Sequence, residues 1–175
     1  MRPGPLPVLR CLAAALALCV GAPVRAADEA ELKAAIVYKL MLFVDWPAAA
    51  QPRPGAPWVL CVAPSNPALS AFRGLNGRPL NDAALRLQAW PPAPGEPACH
   101  AAFLGAAELA AAGERAAAPG LLVVSDAPEP ASAAAAIVLQ RNGPKLGFGV
   151  HMAPVRRARL QLSAKLLRLA REIDE

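Results

Sequence analysis

Short apolar runs constrain this chain more than any other feature. Trp58–Ala63, Cys99–Leu104, Leu121–Ser125 and Ile137–Leu139 each end at a proline, a glycine or a polar residue, and Leu85–Trp90 alternates as a further strand. Runs this short are strands rather than helices, which need roughly ten or more residues to bury a comparable face. A strand that is apolar throughout is covered on both sides, which requires helices above and below its sheet. Pro67–Phe72 and Gly105–Ala112 are helix-prone and lie between the runs. Asn142-Gly143, flanked by Ile137–Leu139 and Leu146–Val150, is a hairpin signal and adds an antiparallel pair. The expected fold is α/β: a single three-layer domain with a central, mostly parallel or mixed sheet and helices on both faces.

Two longer segments have the period of amphipathic helices. Asp28–Trp46 puts Leu32, Ile36, Leu40, Phe43 and Val44 on one stripe, with Asp28, Glu29 and Glu31 in its first turn and Pro47 as its stop. Tyr38, near the edge of that stripe, and Trp46, at its end, are expected to be largely buried against the sheet. The alternative is that Trp46 is an exposed anchor for a partner. Leu160–Ile173 carries a second stripe of Leu162, Leu166, Leu169 and Ile173. Proline-rich connectors, Gln51–Pro57 and Pro91–Pro97, separate the elements, and there is no internal repeat.

Residues 1–26 read as an export segment rather than as part of the domain. Arg2 and Arg10 precede the uncharged run Cys11–Val20, and Val24-Arg25-Ala26 ends on the small residue that signal peptidase needs. Ten to twelve apolar residues rise only about 15–18 Å as a helix, against roughly 30 Å of hydrocarbon, so no permanent membrane span is expected. A lipid anchor on Cys19 is the rival, but Leu18 stands where a small residue is required. Cleavage after Ala26 leaves one domain, residues 27–175, in the periplasm. The pI of 9.4 overstates its basic character. Three of the eighteen Lys and Arg leave with the segment while all thirteen acids stay, for a net charge of +2. Nucleic acid is therefore not an expected partner, because phosphate recognition rests on a strong basic footprint. Only Cys61 and Cys99 remain of the four cysteines, and in an oxidising compartment they suggest one disulfide. Two buried thiols on neighbouring strands are the alternative. A bond closing that 38-residue loop is worth roughly 4 kcal/mol of chain entropy.

Catalytic constellations are missing. The chain has no phosphate-cradling Gly-rich loop, no HExxH, no GxSxG and no CxxC. No enzyme activity, cofactor or metal is expected. Cys99-His100 with Cys61 matches no common metal spacing, and neighbouring strand residues point to opposite faces. Ser125-Asp126 follows an apolar strand where α/β proteins often carry functional loops, but reads more simply as a cap or turn. Arg156, Arg157, Arg159, Lys165, Arg168 and Arg171 form a basic face, either merely solvated or able to dock on an acidic partner or anionic lipid.

Two segments carry a resemblance. Lys33-Ala34-Ala35, Tyr38, Phe43 and Trp46-Pro47 follow a KAA-x-x-Y-x(4)-F-x-x-WP pattern, and Ser163-Ala164-Lys165-Leu166-Leu167-Arg168-Leu169-Ala170 follows S-x-x-LL-x-LA. Leu60-Cys61-Val62, Asn76-Gly77-Arg78-Pro79, Cys99-His100, Phe103-Leu104-Gly105 and Val123-Val124-Ser125-Asp126 fall between them in order. The ordered set resembles the YfiR-like family of periplasmic α/β proteins over nearly the whole domain. The resemblance implies a repressor that binds the periplasmic sensor region of a membrane diguanylate cyclase. It further implies a Cys61–Cys99 pair open to redox tuning; an outer-membrane lipoprotein and a second copy of the chain are further candidate partners. Tyr38, Phe43, Trp46, Pro47, Leu166 and Leu167 are its structural signature here, and Arg156, Arg157, Arg168 and Arg171 the expected docking face. The chain departs from the family at Phe148-Gly149-Val150-His151, where Phe-Glu-x-Asn is usual, and at Arg159, where a turn glycine is usual. Ala133–Ala136 replaces a glycine-rich approach to the hairpin. The rival function is a periplasmic small-molecule or envelope-stress binding module with no cyclase target.

Overall fold

The apolar runs form the middle of an eight-stranded mixed sheet. The computed structural model describes residues 24–174, with side chains from Asp28 onward. The expected export segment, apart from its last three residues, lies outside the described residues. In chain order the elements are α1 (Val24–Met41), β1 (Val44–Asp45), β2 (Trp58–Val62), α2 (Leu69–Arg73), β3 (Pro79–Leu80), β4 (Ala83–Ala89), β5 (Ala101–Leu104) and α3 (Ala106–Ala112). There follow β6 (Leu122–Ser125), β7 (Ile137–Asn142), β8 (Lys145–His151), α4 (Met152–Arg157), β9 (Gln161–Leu162), α5 (Ala164–Leu169) and β10 (Glu172–Asp174).

The sheet runs β10-β8-β7-β6-β5-β2-β4-β3. Strands β4, β2, β5, β6 and β7 are mutually parallel, β8 turns back antiparallel on β7, and β10 lies parallel to β8. The pleat sorts the apolar runs onto two faces. Leu60, Val62, Phe103, Leu122, Val124 and Ile137 face α1, α2 and the C-terminal helices, while Val59, Cys61, Ala102, Leu104, Val123 and Val138 face α3. Three layers result, with helices on both sides of a mixed sheet.

The helix boundaries differ from the sequence expectation. α1 starts at Val24, so no acid stands in its first turn, and it stops at Met41 rather than at Trp46. Pro47 does not end it. The Leu42 and Phe43 amides bond back to the Lys39 and Leu40 carbonyls, closing a tight last turn. Val44 and Asp45 then pair antiparallel with Leu162 and Gln161 as a separate two-stranded ribbon. The buried face of α1 is Ala34, Val37, Leu40 and Met41, while Leu32 is 45% exposed and Ile36 and Phe43 are half-buried. The second expected helix, Leu160–Ile173, is three elements: β9, α5 and β10. Arg159 adopts φ +57°, the left-handed conformation that suits the glycine usual at this place; beyond it the pairing of Gln161 and Leu162 with Asp45 and Val44, and the extended backbone of Ala170, break the expected helix. Ser163 then caps α5, its Oγ accepting from the Leu166 amide at 3.2 Å. Of the expected stripe only Leu166 is fully buried; Leu162 is half-buried, Leu169 is 63% exposed and Ile173 lies exposed on the edge strand.

Candidate functional site

The chemically distinctive residues converge at the N-terminal ends of β2, β5 and β6. Trp46, 4% exposed, donates its indole N–H to the Gly120 carbonyl at 3.0 Å and the His100 carbonyl at 3.2 Å. Its ring lies 4.8 Å from that of Trp58, which meets the His100 imidazole edge-on at another 4.8 Å. Gly120 has φ +78°, and a Cβ there would collide with Ala50. His100 Nδ1 accepts from the Val59 amide at 2.9 Å. Burial pushes the His100 pKa below its ordinary range, opposed only in part by a hydrogen bond to the Ala50 backbone. This imidazole is a structural acceptor, kept neutral and with its ring nitrogens engaged. Trp46 is core and offers no surface for a partner.

Beside this corner Cys61 and Cys99 are joined in a disulfide, their Cα atoms 5.8 Å apart. Because β5 begins only at Ala101, Cys99 lies in the segment leading into the strand; the bond ties β2 to that segment and does not cross-link two strands. Tyr38 is half-buried, its hydroxyl donating to the Pro79 carbonyl. Pro47 is half-buried at the start of a 3-10 turn over Ala48–Ala50, and Leu167 is half-buried next to the buried Leu166.

In an open α/β sheet the crevice beyond the strand C-termini, where strand order reverses, is the usual ligand site. Here the reversal lies between β2 and β5, and Ser65 Oγ donates across it to Glu108 Oε1 at 3.0 Å. Ser125 acts as a turn cap: its hydroxyl donates to the Leu104 carbonyl and accepts from the Ala127 amide. Asp126 accepts from Lys33 Nζ at 2.8 Å, and Lys33 also pairs with Glu29 at 3.0 Å. Glu29 reaches Arg141 on β7 as well, so four charges pin α1 to the sheet. Burial disfavours the Lys33 ammonium, but its hydrogen bonds to Asp126 and Glu29 outweigh this and raise its pKa. Hydrogen bonds from Lys33 and then Arg141 hold the Glu29 carboxyl below its ordinary range. This network was not anticipated from sequence, although Lys33 and Asp126 both stand inside the signature segments. Among the described residues no group of three or more His, Cys, Asp or Glu is placed to hold a metal, and no helix is long and apolar enough to cross a membrane.

Arg156, Arg157, Arg168 and Arg171 are all exposed. Arg157 lines a cleft of about 370 Å³ together with Glu129, His151, Glu172 and Asp174. His151 Nδ1 stands 3.1 Å from the Ala135 carbonyl and Nε2 3.4 Å from Glu129. Arg171 instead borders an apolar groove of about 520 Å³ between α1, β8 and α5. Its lining includes Leu32, Ile36, Phe43, Phe148, Leu166 and Leu169. Lys165 lies over the Phe43 ring, 5.1 Å from its centroid. Sequence periodicity placed Leu32 and Leu169 in the core; they are the exposed walls of this groove.

A comparison with curated proteins gives no match. The family model described as YfiR/HmsC-like (DUF4154) matches residues 30–171, from the second turn of α1 to the residue before β10. That span takes in both signature segments, the disulfide and the entire sheet apart from β10, and on this ground the chain belongs to the YfiR/HmsC-like family.

Proposed function

We propose that this protein is an exported repressor that binds the periplasmic sensor region of an inner-membrane diguanylate cyclase and lowers cyclic-di-GMP output, with no chemistry of its own. Proteins of the family are periplasmic regulators of diguanylate cyclases, and membership over residues 30–171 is the observation that carries the reading. The site geometry supports it from the other side. His100, Trp46, Cys61 and Cys99 are committed to the scaffold. A repressor needs a rigid face whose affinity differs between the off and on states of its target, since binding shifts an equilibrium only by that difference. The exposed arginines of the C-terminal segment, Arg156, Arg157, Arg168 and Arg171, supply long-range attraction to an acidic sensor surface and act mainly on the association rate.

The test is capture from solubilised membranes with the mature protein as bait. A membrane diguanylate cyclase should be retained, and Arg156→Glu with Arg157→Glu should weaken retention without changing the melting temperature. An exported protein that retains no cyclase, in a host whose cyclic-di-GMP is unaffected by its deletion, leaves the small-molecule or envelope-stress binding module as the reading.

A further inference from the structure

We infer that the groove between α1, β8 and α5 is where the partner sits, and that it takes an acidic amphipathic helix of the cyclase's sensor region, apolar side inward and carboxylates at the rim. This assignment rests on the repressor reading above. Ile36, Leu40, Phe43, Phe148 and Leu166 form the trough, and Leu32 and Leu169 rise on its sides, 45% and 63% exposed. They are two of the three large hydrophobic side chains left exposed among the described residues. A contiguous apolar surface of this kind marks an interaction site.

The charge around the trough says what fits it. No carboxylate lines it, whereas Lys39 and Arg171 do. Neither cation joins an ion pair among the described residues, while Glu29 and Asp126 are taken up by Lys33 and Arg141. Arg171 is held in place: its amide donates to the Phe148 carbonyl at 3.0 Å, and its side chain lies over Gly147, where any Cβ would collide with it. Lys165 adds a third cation above Phe43. The complement is a ligand with apolar anchors flanked by carboxylates. A concave trough beside two helices receives a convex helix, the helix-in-groove mode. Along Gly149–His151 the outer edge of β8 is paired with β10, and the Phe148 carbonyl is taken by the Arg171 amide. A lipid surface is the poorer complement, since membrane-docking apolar groups protrude from a surface instead of lining a hollow. The cleft at Arg157 is also the poorer site for an acidic helix, because Glu129, Glu172 and Asp174 share it.

The test places a photo-crosslinking p-benzoylphenylalanine in the full chain in its host, in place of Ala35 or Leu169 in the groove, and of Arg157 or Arg53 outside it. Groove positions should crosslink to an acidic helical segment in the periplasmic region of a membrane diguanylate cyclase. Capture of the cyclase from Arg157 but not from the groove overturns the groove assignment and leaves the repressor reading standing. Adducts from the groove to lipid alone, or to a second copy alone, also overturn it. Failure to capture a cyclase from any position removes both. With the captured sensor region as probe, Leu32→Ser combined with Leu169→Ser should weaken binding roughly tenfold or more at an unchanged melting temperature. Arg171→Gln should weaken it severalfold and flatten its salt dependence. Wild-type affinity in both variants overturns the proposal.

Discussion

The tryptophan–histidine–disulfide corner and the α1–β8–α5 groove are built on opposite terms. In the corner, Trp46, His100 and the cysteine pair have partners: two carbonyls for the Trp46 indole, an amide for His100 Nδ1, a covalent bond for the sulfurs. In the groove the side chains are ordinary leucines, phenylalanines and basic residues, but Leu32 and Leu169 stay exposed and Lys39 and Arg171 join no ion pair among the described residues. Residue types associated with chemistry thus do structural work, and the surface open to a partner is made of apolar and basic residues, with the signature residues Phe43 and Leu166 in its trough. Substitutions should separate the two regions cleanly, stability falling in one and binding in the other.

The largest effect is expected at Trp46. Trp46→Ala removes a buried ring and two hydrogen bonds, and should cost about 3–5 kcal/mol in urea denaturation. Partner capture by the protein still folded should be unchanged; lost binding at full stability would break the comparison. Next, replacing Cys61 and Cys99 together by Ser should cost up to about 4 kcal/mol, less if the unfolded chain is compact. Wild type in reductant should also fall below oxidised wild type, and a double variant as stable as the oxidised protein would mean that the bond contributes little.

The corner should also respond to pH. His100 has a pKa below its ordinary value because burial disfavours its charged form. The unfolded chain takes up that proton first, near pH 6.5, so the stabilisation is complete above about 6.5 and is lost as pH falls toward the lowered folded value. The melting temperature should decline as pH falls below about 6.5, and His100→Gln should flatten that limb. Glu29, lowered chiefly by its hydrogen bond to Lys33, contributes in the other carboxylate-range window: its share is present above its usual value and is lost on further acidification. A smaller effect belongs to Arg159, whose φ of +57° costs an L-residue about 1 kcal/mol; Arg159→Gly should raise stability by up to that amount, less the added freedom of the unfolded chain. Smallest of all, Leu169→Ser should leave stability within about 0.5 kcal/mol of wild type, since the side chain is 63% exposed.

The parts legible in the sequence are those whose signal is local. Trp58–Val62 and Leu122–Ser125 are apolar on both faces wherever they sit in a layered sheet, and Asn142-Gly143 demands a hairpin by its own backbone preference. Helix limits were not local. After α1 the chain turns into a strand at Val44, whose partner Leu162 is distant in sequence; the same pairing, and that of β10 with β8, breaks the C-terminal stripe. The groove was hidden for the same reason: Leu32 and Leu169 satisfy a helical period as well as Leu40 and Leu166 do, and tertiary packing alone decides which are covered. The disulfide was legible as a count of two, but not the offset that leaves Cys99 outside its strand.

Cyclic-di-GMP in the host bears most directly on the central claim, measured in a clean deletion complemented with wild type, with Trp46→Phe, or with Leu32→Ser plus Leu169→Ser. The account predicts a raised level in the deletion, full repression by wild type and by a folded Trp46→Phe, and no repression by the folded groove variant. An unchanged level on deletion across growth and redox conditions would contradict it.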